Sequence, residues 1–457
     1  MCRIVVYPAL SSTVREMASD RKFRRRAFLG SVAAASSTLI AGCSGGSGST
    51  PSSTTSANET TDSTSTNETT TGTPEETSTD ESQSAKEPDV PGTHEPMNPK
   101  GATFEDLSFW QPQAKVTLEA DTETVYQGTQ SARIEGYSGS ISRQFPVPMD
   151  LSNKDLSLAV KLDKPEPTNL RIWLEDSNGD QTRLIQQLNQ NHPDTWMRIN
   201  PSINSVDADM SSIESMLITL DGDGANKKYW VDDIRFHDKT AKKGQVMLSF
   251  DDIHASVYHL AYPIMEEYGL KGVLAVSPDV IGNDGRMTKD EIQELHDAGW
   301  EIASHGNDLQ GLYGLRRSAQ KKKIERAKRL IKENGWGDSA AFMYPGGGCD
   351  QNTVELVREN HELGYLAFKG SEKGLSQSAL MGPMFVNRSR PDTPEAVTNQ
   401  LDVVTAYKGM YNIYLHVISD DSPHTKQEFR KTCKQIANYR DEGKVEIVQP
   451  SDVVLDG

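Results

Sequence analysis

The chain changes its periodicity of apolar and polar residues along its length. Between Gly101 and Asp238, short runs such as AKVTLEAD, SARIEGY and LRIWLED alternate apolar and polar residues, and Gly, Asn, Asp and Pro separate them. A period of two is typical of strands that bury one face. Short strands with frequent turns predict an antiparallel β-sandwich of the jelly-roll kind over residues 101–238.

After Gly244 the pattern becomes one of strands that alternate with helices. Apolar runs such as QVMLSF, GVLAVS, WEIASH and NIYLH come between stretches with helical spacing. Repeated strand–helix alternation predicts a parallel α/β architecture over residues 242–457, and we expect a (β/α) barrel in preference to an open sheet. No glycine-rich phosphate loop follows the first strand, which argues against nucleotide binding.

The first 43 residues have the order of an export signal: a charged stretch, an apolar stretch and then small residues at the cleavage end. Arg25 and Arg26, followed by Phe28 and Leu29, resemble a twin-arginine signal, and LIAGC resembles a lipobox that ends at Cys43. We therefore expect export, with lipid-modified Cys43 anchoring the protein to the outer face of the cell membrane. An N-terminal membrane helix is the alternative, although the apolar stretch is short for the ~20 residues that a span needs.

Residues 44–100 are rich in Ser, Thr, Gly, Glu and Asp and contain few large apolar residues. Such a segment buries too little surface to offset its conformational entropy, so we expect a disordered linker. The net charge of −17 and the lack of a basic groove argue against a nucleic-acid partner.

Polar residues with catalytic or ligating side chains follow the apolar runs of the second region. In chain order they are Asp251, Asp252, Ser304, His305, Asp308, Tyr344, Arg388, Arg390 and His416. The carboxyl ends of barrel strands converge on one face, so residues far apart in sequence are expected to meet there. Aspartates, histidines and arginines at such positions predict a site.

The motifs SFDD, SHGNDL, YPGGG and YLH occur in this order after residue 242. On these motifs, residues 242–457 resemble the polysaccharide deacetylase family with the NodB homology domain. The resemblance implies a metal-dependent hydrolase that removes acetyl groups from an N-acetylated or O-acetylated glycan. The preceding region resembles galactose-binding jelly-roll modules, on QGTQSARI and WVDDIRF, and this implies sugar binding. A packing role is expected for each of its aromatic residues, and stacking on sugar is the alternative: Trp110, Trp173, Trp196, Tyr229 and Trp230.

The family resemblance implies a role for each motif residue. Asp251 would be the general base, and Asp252 would bind a divalent metal together with His305. Zinc is the expected metal. His416 would be the general acid that protonates the leaving group. The backbone N–H of Tyr344 would stabilise the tetrahedral oxyanion.

This sequence departs from the family pattern at two places. The YPGGG loop lacks the arginine that orients the catalytic base, and we expect Arg388, or alternatively Arg390, to replace it. The family's second metal-binding histidine falls at Leu309, which cannot bind metal, so Asp308 is the candidate third ligand. An Asp-His-Asp set is harder than Asp-His-His and would favour zinc less strongly.

Two other functions remain open on the sequence. Leu309 favours a non-catalytic surface lipoprotein that binds glycan with a degenerate deacetylase barrel. Hydrolysis of a different C–N bond, such as that of a cyclic amide, is the other alternative. His254 is expected at the rim of the site, and Cys349 is expected to have no role in it.

Overall fold

The computed structural model describes residues 91–454, except for 114, 138, 165, 189–191, 222–225, 370–373 and 423. The predicted export signal at residues 1–43 and most of the predicted linker lie outside the described residues. Within the described ranges, no helix has the length and apolar character needed to cross a membrane.

Two antiparallel sheets form the first folded region, after a short helix α1 (Pro99–Ala102). The strands are β1 Gln111–Pro112, β2 Val116–Asp121, β3 Ser131–Tyr137, β4 Ser140–Met149, β5 Lys154–Leu162, β6 Thr168–Asp176, β7 Gln181–Leu188, β8 Met197–Ile199, β9 Ser202–Val206, β10 Ile213–Leu220 and β11 Asn226–Asp238. One sheet has the order β1-β4-β10-β6-β7-β9 and the other β2-β3-β11-β5-β8. Strand β6 buries every second residue, as its alternating sequence predicts. The predicted all-β region of antiparallel strands in two sheets is confirmed. The jelly-roll arrangement and the likeness to galactose-binding modules stay predictions.

The aromatic residues of the sandwich mostly pack inside it. Trp110, Tyr229 and Trp230 are buried, which confirms the packing role expected for them. Trp196 contacts Tyr126 edge-on, and the Trp173 ring lies under the guanidinium of Arg183.

The sandwich begins earlier than the sequence predicts. The linker was expected to reach Lys100, but Thr93 pairs with Phe236 of β11, and the His94 ring bonds to Asp233 at 2.8 Å. The Met97 side chain is buried in the core. Residues 91–100 are polar in composition, yet these few contacts fix them to the sheet.

A mostly parallel sheet with surrounding helices forms the second folded region; the short strand Leu375–Ser376 pairs antiparallel. Its strands are β12 Gly244–Phe250, β13 Val273–Val276, β14 Glu301–Ser304, β15 Ala341–Met343, β16 Leu363–Tyr365, β17 Phe368–Lys369, β18 Leu375–Ser376, β19 Ser389–Arg390, β20 Met410–Leu415 and β21 Val445–Ile447. Its α-helices are α2 Tyr262–Glu267, α3 Lys289–Asp297, α4 Arg317–Glu333, α5 Gln351–Asn360, α6 Pro394–Tyr407, α7 Lys426–Asp441 and α8 Pro450–Val453, with a π-helical turn, Val257–Ala261, before α2.

The parallel strands curl in the manner of a barrel. The sheet runs in the order β16-β15-β14-β13-β12-β20-β19-β17, and β16 and β17 are neighbours in sequence. Leu366 N–H donates to Val386 O at 2.8 Å, and Val386 N–H donates to Gly364 O at 3.0 Å, so backbone bonds also join the two ends of this order. The predicted parallel α/β architecture is confirmed. Because the strands in this order pair in parallel, their carboxyl ends lie on one face of the curled sheet.

Buried polar bonds join the sandwich to the barrel. Both oxygens of Asp155 on β5 accept hydrogen bonds: one from Lys239 Nζ at 2.9 Å, the other from the backbone N–H groups of Ser378 and Ala379 at 2.8 Å each. The Gln377 amide donates to Leu156 O and Pro201 O at 2.9 and 2.8 Å. Buried polar groups of this kind are costly to separate, because each would lose its partner. The two folded regions are therefore held together by specific bonds as well as by apolar packing.

Candidate active site

Asp251 and Asp252 follow β12 at the carboxyl end of the barrel strands. Asp251 is buried, and its N–H donates to Leu415 O at 2.9 Å, which extends the parallel pairing of β12 with β20. The guanidinium of Arg388 is fully buried beside it and donates to both carboxylate oxygens, at 2.8 Å to Oδ1 and 3.0 Å to Oδ2. This is the two-bond geometry in which arginine holds a carboxylate in a fixed orientation. Of the two arginines considered from the sequence, Arg388 is the one that binds Asp251.

The charges around Asp251 keep its carboxyl group ionised. Burial alone would raise its pKa, but the charges of Arg388 and His305 outweigh this effect, and the pKa is lowered. Arg388 also donates to Ser249 Oγ at 3.0 Å, and Ser249 Oγ in turn donates to Ile413 O. The arginine is thus fixed from two sides, and the carboxylate is held ready to accept a proton.

Asp252 lies in a sharp turn that separates it from Asp251. Asp252 and Ile253 have φ values of 69° and 45°, a left-handed conformation that residues other than glycine rarely adopt. The turn is held from the segment before α3: Arg286 Nη1 donates to Asp252 O at 2.6 Å, and Met287 N–H donates to Ile253 O at 2.9 Å. Such strain persists where neighbouring structure enforces it, as here. It directs the two adjacent carboxylates to different partners.

The Asp252 carboxylate faces His305. Oδ1 lies 3.3 Å from His305 Nε2, and the His305 side chain is buried at the end of β14. Burial opposes ionisation of Asp252, but the hydrogen bond and charge of His305 dominate and lower its pKa to about 2. His305 Nδ1 lies 2.7 Å from Met343 O, and since a carbonyl can only accept, Nδ1 carries the hydrogen. Nε2 is therefore the atom that faces Asp252.

Two further histidines lie near the other oxygen of Asp252. His416 Nε2 is 3.8 Å and His254 Nε2 is 3.9 Å from Oδ2. His416 follows β20, and its side chain is 35 % exposed, so it is accessible from solvent. His254 lies closer to Asp252 than a rim position implies, but its Nε2 accepts a hydrogen bond from Arg286 Nη1 at 3.0 Å. From the sequence, His254 was expected only at the rim of the site, and Arg286 was not predicted to contact it. The only sequence signal was the position of His254, two residues after Asp252.

The structure does not place Asp308 with Asp252 and His305. The Asp308 carboxylate is bonded to Lys323 on α4, and its Oδ1 accepts from Gln310 N–H at 3.1 Å. The prediction that Asp308 replaces the missing ligand is therefore wrong, because a lysine on a neighbouring helix neutralises its carboxylate. Leu309 is 37 % exposed and makes no contribution to the core.

Tyr344 does not provide an oxyanion donor either. Its backbone N–H donates to Tyr365 O at 3.0 Å, within the pairing of β15 with β16, and its hydroxyl donates to Met384 O. The ring is buried, and burial raises the pKa of its hydroxyl well above the ordinary value. Because the N–H is already used by the sheet, the role predicted for Tyr344 is wrong. Cys349 is also buried and has the raised thiol pKa of a structural cysteine.

The residues present fit part of a divalent metal site. Asp252 and His305 offer an oxygen and a nitrogen facing each other. The Nδ1–H of His305 is bonded to a carbonyl, as is usual for metal-binding histidines. In the described part of the chain, no three His, Cys, Asp or Glu side chains are grouped closely enough to hold a metal ion. The protein thus supplies two candidate ligands, and the third position of an Asp-His-His site is not filled.

Leu309→His is expected to add a third ligand and to raise the affinity for a divalent metal by about tenfold or more, the scale on which single groups around a metal site act. The position is exposed, so the substitution should not disturb the core. Metal content after dialysis against buffered Zn²⁺ or Co²⁺ would measure the change. Tyr313→His, at an exposed position in the same loop, is the matched control. Equal metal content in both variants would contradict the assignment of position 309.

These observations describe an α/β barrel protein with carboxylates, imidazoles and a buried arginine at the carboxyl ends of its strands. Residues 238–366 match the model of the polysaccharide deacetylase family. The predicted family resemblance is confirmed for this segment.

Curated relatives match the same domain. The chain is 25 % identical over 135 residues to YxkH of Bacillus subtilis strain 168, whose assignment as a polysaccharide deacetylase is itself an inference; the match covers 29 % of this chain and 48 % of that protein. It is 23 % identical over 132 residues to the poly-β-1,6-N-acetyl-D-glucosamine N-deacetylase of Staphylococcus epidermidis, covering 26 % of this chain and 46 % of the relative. The chain thus spans about half the length of the curated relatives it matches.

Among the solved structures similar to the chain are a deacetylase and an esterase. The Streptococcus pyogenes deacetylase PplD, in complex with acetate, is 24 % identical with a TM-score of 0.31, covering 34 % of this chain and 69 % of that one. A family 4 acetyl xylan esterase from Clostridium thermocellum, in complex with cobalt, is 16 % identical with a TM-score of 0.33, covering 46 % of this chain and 89 % of that one.

Proposed function

We propose that this chain is a metal-dependent hydrolase that removes acetyl groups from a polysaccharide. The observation that carries the proposal is the pair of adjacent aspartates with different partners: Asp251 fixed by Arg388, and Asp252 facing His305. The match of residues 238–366 to the polysaccharide deacetylase family model supports the reaction class. The staphylococcal relative supports an N-acetylated β-1,6-linked glucosamine polymer as the first substrate to test.

Each of these site residues would have a different role in acetyl hydrolysis. Asp252 and His305 would hold a divalent cation, which would polarise the acetyl carbonyl and lower the pKa of water. Asp251 accepts a proton from water as the water oxygen bonds to the acetyl carbon, and Arg388 keeps the accepting carboxylate in place. His416 donates a proton to the sugar nitrogen or oxygen as its bond to the acetyl carbon breaks. Acetate and the free amine or hydroxyl are the products.

We also propose that the protein works outside the cell, attached to the outer face of the membrane through Cys43. This proposal rests on the twin-arginine and lipobox patterns of residues 1–43 and on the Ser/Thr-rich segment that follows them. A surface position would bring the site to extracellular polysaccharide, and the sandwich would lie beside the same substrate.

Acetate release from defined glycans tests the proposed function. Purified protein, stripped with a chelator and reloaded with Zn²⁺, Co²⁺ or Mg²⁺, is expected to release acetate from poly-β-1,6-N-acetylglucosamine, chitin oligomers or acetylated xylan. The stripped protein should lose most of this activity, because metal catalysis supplies several kcal/mol to the transition state. No acetate from any of these glycans with any metal would contradict the proposal.

A glycan-binding protein without catalysis is the second candidate. The observations that favour it are the exposed Leu309 in place of a ligand and the engagement of Asp308 by Lys323. It predicts binding of the same glycans, measured by calorimetry, without acetate release. Hydrolysis of another C–N bond would give neither acetate nor tight glycan binding.

A further inference from the structure

Asn387, the residue directly before Arg388, is bonded to the sandwich. Asn387 Nδ2 donates to Gln186 Oε1 at 3.2 Å and to Ser202 Oγ at 2.6 Å, and Gln186 Nε2 donates back to Asn387 Oδ1 at 3.0 Å. Gln186 lies on β7 and Ser202 on β9, so both partners belong to one sheet of the sandwich. All three side chains are buried.

The amide of Asn387 makes all of these hydrogen bonds to the sandwich. Both of its N–H groups donate, and its oxygen accepts one hydrogen bond, with Gln186 and Ser202 as the partners. The Asn387 carbonyl is also held, since Asn412 Nδ2 on β20 donates to it at 2.9 Å. Loss of one partner would leave a buried polar group unpaired, which fixes this residue more firmly than apolar contact would.

The next residue turns to the opposite side and reaches the catalytic carboxylate. While Asn387 contacts the sandwich, Arg388 enters the barrel and donates to both oxygens of Asp251. The backbone of Arg388 is paired with the neighbouring strand segment: its N–H donates to Leu366 O at 3.2 Å, and its carbonyl accepts from Phe368 N–H at 3.0 Å. Consecutive side chains on an extended backbone point to opposite sides. The hydrogen bonds that fix Asn387 therefore also fix the direction of the Arg388 side chain.

We infer that the sandwich is a working part of the deacetylase site, with Gln186 as a positioning residue that acts through Asn387 and Arg388 on Asp251. The sandwich would then do more than keep the barrel near its substrate. The kinetic part of this inference rests on the proposed function. The positional part stands on the hydrogen bonds alone.

Gln186→Ala in the full chain is expected to lower kcat about tenfold with little change in KM, because small misplacements of catalytic groups are costly in rate. Gln181→Ala is the matched control: Gln181 lies on the same strand, and its amide bonds to Glu175 within the sandwich. The control should retain the wild-type kcat. A change confined to KM in Gln186→Ala would overturn the inference and assign β7 to substrate binding only.

A double-mutant cycle separates positioning from general damage. If Gln186 acts through Arg388, Gln186→Ala should have little further effect on kcat in an Arg388→Lys background. Additive losses would overturn the inference. Thermal unfolding of each variant checks that the comparison is made on folded protein.

Hydrogen exchange tests the positional part without an activity assay. Gln186→Ala is expected to increase amide exchange in a peptide that covers residues 386–390, whereas Gln181→Ala should leave it at the wild-type rate. If wild-type protein released no acetate, the proposed function would fail while this measurement still decided the inference. Unchanged exchange in Gln186→Ala would overturn it.

Discussion

Asp251→Asn is expected to lower kcat about a thousandfold, in the middle of the range that a positioned general base contributes. Asparagine has nearly the same shape as aspartate, but it cannot accept a proton from water at neutral pH. The metal content should stay close to that of wild type, because Asp252 and His305, and not Asp251, face each other as ligands. Acetate release and metal analysis on the same preparation would measure both.

The control for this substitution is Asp308→Asn. Both residues are aspartates in motif positions, but the Asp308 carboxylate is bonded to Lys323 on α4 and not to the site. Asp308→Asn should therefore keep both kcat and metal content. Loss of metal in Asp308→Asn would show that the loop rearranges to bring Asp308 to the metal, and it would restore the ligand set predicted from the sequence.

Asp251→Asn also removes the counter-charge of a fully buried guanidinium. Breaking one side of a buried ion pair typically costs about 3–5 kcal/mol of folding stability. Urea unfolding should show this loss, and the kinetic assay should be run well below the unfolding midpoint. A fall in activity without a fall in stability would indicate that water or another group compensates Arg388.

Much of the fold could be predicted because the periodicity of the sequence reflects burial directly. Strand β6 buries alternate residues, and every residue of β12 is buried, as expected for a central parallel strand. The positions of Asp251, His305, Arg388 and His416 followed from the same logic, since each comes at or after the end of an apolar run. The structure brings their side chains to one end of the barrel.

The errors arose where side-chain direction or a competing partner decides the outcome. Spacing placed Asp308 one residue from the expected ligand position, but it could not show that Lys323, fifteen residues later on a helix, would take the carboxylate. Tyr344 lies at the expected place in the chain, yet sheet pairing uses its N–H. The predicted end of the linker was wrong because Met97 and His94 anchor a polar segment to the sandwich through only a few contacts.

The bonds between sandwich and barrel were also beyond prediction from the sequence. Gln186 and Asn387 are polar residues in strand-like contexts, which usually indicates exposure. They bond to each other although 201 positions separate them in the chain. Only the folded structure shows that both are buried and satisfy each other.

Arg388→Met is expected to shift the acid limb of the pH–rate profile to higher pH and to lower activity at neutral pH. In the wild type, burial raises the pKa of Asp251, while the charges of Arg388 and His305 lower it further than burial raises it. Removal of the guanidinium leaves burial with much less opposition, so the pKa of Asp251 must rise. The base is active only when ionised, so kcat/KM falls as the pH drops through this pKa. A higher pKa therefore moves the acid limb upward.

Two variants give this prediction its control and its counter-test. Arg388→Lys keeps the charge but loses the two-bond geometry, so its acid limb should lie between those of wild type and Arg388→Met. Arg390→Lys, two residues along the same segment, should leave the acid limb in its wild-type position, because both oxygens of Asp251 are bonded to Arg388. An unshifted limb in Arg388→Met would mean that the limb reports a different group. Asp251 would then not be the base whose ionisation limits the rate, and the ion pair would serve the fold alone.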